Sequence, residues 1–219
     1  IEGGSRTVWL HDMVLQSRDG TPVDLTECGD VIEACYLAVA HGLAEDDGYN
    51  ALALKTRSGW RDIAMLRAYS RYLRQLNIPY SQDYMWTTLV HHSAIARSLI
   101  ELFHALHSPD QKTKEADIAQ IGSALDAALH EVPSLDEDLI LSRFRNLMMA
   151  TMRTNFFQLD VHGQPKPSIA FKFSSQAVDG MPAPKPYAEI SVYSPRVEGI
   201  HLRFGKIARG GLRWSDRPQ

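Results

Sequence analysis

Apolar residues recur along this chain with two different periods, and the change of period divides it. In "SGWRDIAMLRAYSRYLRQLNIP", Ile63, Leu66, Tyr69, Leu73 and Leu76 step by three or four residues, which places them on one stripe of a helix that Pro79 ends. The spacing predicts further helices over "GYNALALKTR", over "QDYMWTTLVHH" capped by Ser81, and over "AIARSLIELFHALH" capped by Ser93 before Pro109. In "KTKEADIAQIGSALDAALHE", Ile118, Ile121, Leu125 and Leu129 fall on one face. "PSLDEDLILSRFRNLMMATMRTNFF" opens with Pro133, a Ser134/Glu137 capping box and an acidic first turn, and reads as helix throughout. Short loops between such helices predict an antiparallel helical layer over residues 49–158.

On either side the pattern differs. "TVWLHDMVLQSRDGTPV" reads as a strand ending in a turn at Asp19-Gly20. A helix then carries Val31, Cys35, Leu37, Ala38 and Leu43, with Gly48 as its expected stop. After Phe157 the alternation of Ile169, Phe171 and Phe173 predicts a half-buried strand. "VDGMPAPKPY" reads as a stiff extended connector, followed by strands over Glu189–Tyr193 and Val197–Phe204. Three strands are too few for a sheet with its own hydrophobic face, so this end is expected to be the start of a domain completed elsewhere. The expected class is α+β, with a strand-helix piece over 1–48, a helical region over 49–158 and an incomplete β-rich domain over 159–219.

Composition narrows the chemistry. The chain has 219 residues, 44% hydrophobic and 22% charged, enough for a buried core. It contains no apolar run of about 18 residues, so no membrane span is expected. Cys28 and Cys35 would stand roughly 10 Å apart along a helix, too far for a disulfide, and are expected as core residues in a reducing, cytoplasmic setting. From Lys185 onward seven cations face three anions, whereas the preceding part carries 16 cations and 23 anions. An acidic body with a cationic end predicts an anionic ligand at that end.

The histidines support no metal site at this level. Glu101, His104 and His107 lie loosely on one helical face, and two adjacent residues, His91 and His92, are not expected to face one ion from a helix. No Gly-x-Gly-x-x-Gly turn, Walker sequence or Gly-x-Ser-x-Gly elbow occurs, so no cofactor-binding or catalytic residue is expected here. Trp60, Tyr69, Tyr72, Tyr84 and Trp86 read as core or interface anchors, and the net charge of −3 argues against nucleic acid. There remains "GKIARGGLRWSDRPQ". Lys206, Arg209 and Arg213 surround Gly210-Gly211, where residues without side chains allow close approach and a forked guanidinium matches a planar carboxylate.

"EISVYSPRVEGIHLRFGKIARGGLRWSDR" resembles the entry to the catalytic domain of large, bacterial-type NAD-dependent glutamate dehydrogenases. "YNALALKTRSGWRDIAMLRAYSRYLRQLNIPYSQDYM" and "SLDEDLILSRFRNLMMATMRTNFFQ" are similar to their upstream helical region, and "RTVWLHDMVLQSRDGTPVDL" to the end of an ACT-like regulatory module. The resemblance implies oxidation of L-glutamate by NAD+ to 2-oxoglutarate and ammonia, by a cytoplasmic homo-oligomer. In smaller glutamate dehydrogenases the matching segment reads Lys-Gly-Gly-hydrophobe-Arg, and its lysine holds the substrate's side-chain carboxylate. Arg209 stands in that place, which implies Arg209 as γ-carboxylate binder with Gly210, Gly211 and Arg213 beside it. The expectation is an inactive piece of a longer enzyme, since the family's catalytic lysine and NAD domain would follow Gln219. The alternative is a non-catalytic helical scaffold or regulatory module.

Overall fold

The computed structural model describes residues 20–76, 78–109, 115–207 and 210–214, together with Leu10, Asp12, Val14 and Ser17; side chains are described up to residue 207. The strand expected around residues 7–16 lies outside the described residues.

Seven helices follow in order: α1 (Leu25–Ala40), α2 (Ala51–Thr56), α3 (Trp60–Gln75), α4 (Gln82–His91), α5 (Ser93–His107), α6 (Glu115–His130) and α7 (Leu135–Ala150). Asp24 caps α1 by accepting from the Thr26 amide at 2.9 Å. The stop falls earlier than Gly48. Gly42 takes a left-handed φ of 69°, and the Leu43 amide returns to the Ala38 carbonyl at 2.8 Å, closing the end of α1. Gly48 has another use, in a short 3-10 turn over Gly48–Asn50. The Trp86 ring lies so close that a Cβ there would meet its Cζ3 at 1.3 Å.

Ser81 caps α4 as expected, accepting from the Tyr84 amide at 3.1 Å. Ser93 does not cap α5 but is its first residue, after His92. Only half of the expected capping box forms on α7: Ser134 Oγ accepts from the Glu137 amide at 3.4 Å, while the Glu137 carboxylate turns to His91 and His92.

α7 is shorter than its composition suggests. It ends at Ala150, and the chain continues at once as β1 (Thr151–Thr154). β2 (Ile169–Phe173), β3 (Ala188–Tyr193), β4 (Glu198–Arg203) and β5 (Gly210–Trp214) complete an antiparallel sheet in the order β1-β2-β3-β4-β5. Among the described residues the sheet therefore has five strands rather than three, and it does have a covered face. β2 buries Ile169, Phe171 and Phe173 against the helices, with Phe171 stacked on Tyr69 and Phe173 on Tyr72 at 4.3 Å each. Tyr69 also meets Phe103 of α5 edge-on at 6.1 Å. All five α3 stripe residues are buried in this same core, which runs without interruption from helices to sheet.

The proline-rich connector is anchored to the helices at its start. Val178 and Met181 enter the core, and Asn146 of α7 binds both the Ala177 carbonyl (3.0 Å) and the Asp179 amide (2.9 Å). Cys28 and Cys35 are buried and unbridged. Among the described residues no helix is long and apolar enough to cross a membrane.

Candidate functional site

The sequence points to the segment joining β4 and β5, and the backbone makes it a hairpin at one edge of the described sheet. Arg203 pairs with Gly210, Leu202 with Gly211, His201 with Leu212 and Ile200 with Arg213. The Gly210-Gly211 pair thus opens an edge strand, where one row of peptide groups has no neighbouring strand among the described residues. Such a row, without side chains over it, offers backbone donors to a ligand. Arg203 folds over the turn and donates to the Lys206 carbonyl at 3.0 Å. Phe204 and Ile207 leave 54% and 75% of their surface exposed, unlike any apolar residue of β2. Arg209 lies outside the described residues, and the side chains of Gly210–Trp214 are likewise not described.

A buried polar network fixes the base of this hairpin to α3. Glu189 of β3 is fully buried and accepts from Tyr72 Oη at 2.6 Å. Arg71 donates to Glu45 Oε2 at 2.6 Å and lies 3.9 Å from Glu198, the first residue of β4. Tyr193 reaches the other Glu45 oxygen at 3.2 Å. One turn away Arg67, with no exposed side-chain surface, grips Asp47 through Nε (2.8 Å) and Nη2 (2.7 Å) and Asn50 through Nη2 (2.9 Å). Burial alone would lower the Arg67 pKa, but the Asp47 hydrogen bonds and nearby acids outweigh it and hold the group above the ordinary arginine value. Burial also pushes the Tyr193 hydroxyl well above the usual tyrosine range, so it stays a proton donor.

Two hollows elsewhere do not suit a dicarboxylic acid. The seam between α3 and the β3–β4 pair, lined by Arg71, Tyr72 and Tyr193, encloses about 10 Å³, space for about one water. An open groove of about 320 Å³ between α5 and α6 presents Glu101 and Asp117, whose charges repel a carboxylate.

Sequence reasoning missed two constellations. Arg67 and Arg71, four apart on the otherwise apolar face of α3, were the legible sign of the buried network. The second is His91, His92 and Glu137. His104 pairs with Asp62 at 2.7 Å, apart from His107, so the i, i+3, i+6 group does not converge. The adjacent histidines do. The objection that neighbours cannot face one point from a helix fails because the helix breaks there: His92 has φ −100° and ψ 51° between α4 and α5.

Comparison with known proteins gives the site its setting. Residues 124–219 match the bacterial NAD-glutamate dehydrogenase catalytic domain, and residues 44–109 match glutamate dehydrogenase helical motif 3. The NAD-specific glutamate dehydrogenases of Pseudomonas aeruginosa and Halomonas elongata are 42% and 44% identical over 98% and 99% of this chain. That of Mycobacterium tuberculosis is 44% identical over 96% of it. The chain spans about 14% of the length of the first two relatives and 13% of the third. With both matched regions falling on the helical layer and the sheet just described, the chain belongs to the family of NAD-specific glutamate dehydrogenases.

Proposed function

We propose that this chain serves, within a longer enzyme oxidising L-glutamate with NAD+ to 2-oxoglutarate and ammonia, as the part that grips the substrate's side-chain carboxylate. The observation that carries the reading is the Gly210-Gly211 pair at the start of an edge strand of the described sheet, with Arg209 preceding it in the sequence. Arg209 supplies a two-pronged, permanently charged donor. Gly210 and Gly211 let the carboxylate approach the backbone, and Arg213 either binds the ligand or balances charge beside it. Residues 1–48 form the end of an ACT-like module in this reading, 49–158 a helical region and 159–219 the start of the substrate domain. α7, which the catalytic-domain match includes, is tied to that segment through Asn146, which binds the Ala177 carbonyl and the Asp179 amide.

NAD accepts the hydride in this reaction, but the residues present do not suit it. The described sheet is antiparallel throughout and offers no parallel strand-helix-strand unit with a glycine-rich turn for a pyrophosphate. No cofactor contact or proton transfer is assigned to this chain, and the 219-residue chain alone is expected to produce no NADH from glutamate and NAD+. The setting this implies is a cytoplasmic homo-oligomer, with the buried thiols of Cys28 and Cys35 consistent with a reducing compartment.

The test is Arg209→Ala in the full-length enzyme. Loss of a charge-assisted pair costs about 2–3 kcal/mol, raising the KM for glutamate about 30- to 150-fold. An unchanged KM removes Arg209 from the site. A second reading, a helical scaffold without a ligand role, draws on the continuous core, which takes in Ile200 of β4 but neither Phe204 nor Ile207 of the turn beyond it. It predicts that same unchanged KM.

A further inference from the structure

The cluster at the α4–α5 break is a second place where side chains converge without serving the core. His91 closes α4, His92 is the single non-helical residue, and Glu137 is the third residue of α7. His91 Nδ1 lies 3.1 Å from one Glu137 oxygen, and His92 Nε2 lies 3.0 Å from the other. The three potential ligand atoms fall within 4.8 Å of one another. A tetrahedral zinc ion with bonds of about 2.0–2.1 Å requires its ligand atoms roughly 3.3 Å apart. Each histidine already meets that spacing to its own Glu137 oxygen, so the carboxylate must turn to present one oxygen to both rings while the two imidazoles close toward each other. The His91 side chain is 66% exposed and can move, whereas those of His92 and Glu137, 16% and 15% exposed, are held.

We propose that His91, His92 and Glu137 form a binding site for a borderline divalent cation of the zinc type, the fourth position being left to water. Two imidazoles and one carboxylate are a donor set for zinc, copper or nickel rather than magnesium or calcium, which take oxygen ligands. Binding replaces the two N–H···O bonds. Each neutral ring shifts its proton to the nitrogen facing away, and a charged ring releases one, so no redox partner is needed. The positive end of α7 opposes a cation, but Asp136 and Asp138 flank Glu137 in the same first turn and supply two further negative charges. The ion would join the α4–α5 junction to the start of α7 and so stiffen the helical layer. Nothing in this requires the dehydrogenase reading.

The experiment is titration of the 219-residue chain with Zn2+, followed by calorimetry and by the thermal midpoint. One ion per chain is expected, with a midpoint that rises with zinc concentration. His92→Ala and Glu137→Gln should each weaken binding about 10- to 100-fold or more, by analogy with losses in ligand support. His91→Asn is at an exposed position that leaves the fold intact, and should weaken it too. His104→Ala, at the separate His104–Asp62 pair, should leave affinity unchanged. No binding by the parent chain, or binding of equal affinity in His91→Asn and Glu137→Gln, overturns the proposal.

Discussion

The helix–sheet core and the turn end of the β4–β5 hairpin both carry large apolar residues and treat them oppositely. In the core Tyr69, Tyr72, Phe103, Phe171 and Phe173 are each almost wholly buried and stack on one another. In the hairpin Phe204 and Ile207 are exposed to solvent, on either side of Lys206 in the sequence. A buried aromatic is stabilised by every neighbour and is costly to change. An exposed one contributes little to folding. On the proposed function, folding belongs to one region and ligand binding to the other, and that contrast can be broken at either end.

The largest effect belongs to the core. Phe171→Ala removes the ring stacked on Tyr69 and should destabilise the chain by about 3–5 kcal/mol, read from its urea midpoint. Arg67→Ala comes next, at about 3 kcal/mol. Breaking a buried ion pair costs about 3–5 kcal/mol, and the lower end applies because Asp47 keeps 25% of its side chain exposed and can recover water.

A smaller effect is expected from pH. Burial holds the His107 pKa below the ordinary histidine value of 6.5. The folded chain therefore resists a proton that the unfolded chain accepts. Stability is full above about pH 6.5 and is lost as pH falls below it. His107→Gln should flatten that acid slope between pH 7.5 and 5.5, as measured by denaturant midpoints; an unaltered slope would assign the loss to other groups. The smallest effect is Ile207→Ser, within about 0.5 kcal/mol of the parent, since the side chain already lies in water. A loss comparable to Phe171→Ala would erase the distinction between the two regions.

Much of the core was legible because its signal is local. The α3 stripe of Ile63, Leu66, Tyr69, Leu73 and Leu76 needs only a period of 3.6, and all five residues are buried. The Ser81 cap is a short-range hydrogen bond between neighbours in sequence. What escaped depends on distant partners. "MMATMRT" is as compatible with helix as with strand, and Thr151–Thr154 becomes β1 because β2 pairs with it. The strands looked unsupported because α3, which covers them through Tyr69 and Tyr72, lies about 100 residues earlier. The break at His92 was legible, since a separate helix was expected from Ser93, but its meeting with Glu137, 45 residues later, depends on how α7 packs and was invisible. For the proposed site, Arg209, Gly210, Gly211 and Arg213 were singled out by residue chemistry and resemblance, and the fold adds only the register that sets Gly210 opposite Arg203.

The separation of folding from ligand binding is tested most directly by one substitution read twice. Arg209→Ala is predicted to leave the thermal midpoint of the 219-residue chain unchanged while raising the KM for L-glutamate of the full-length enzyme about 30- to 150-fold. A lowered midpoint with an unchanged KM would contradict the account, because Arg209 would then belong to the fold and not to the substrate.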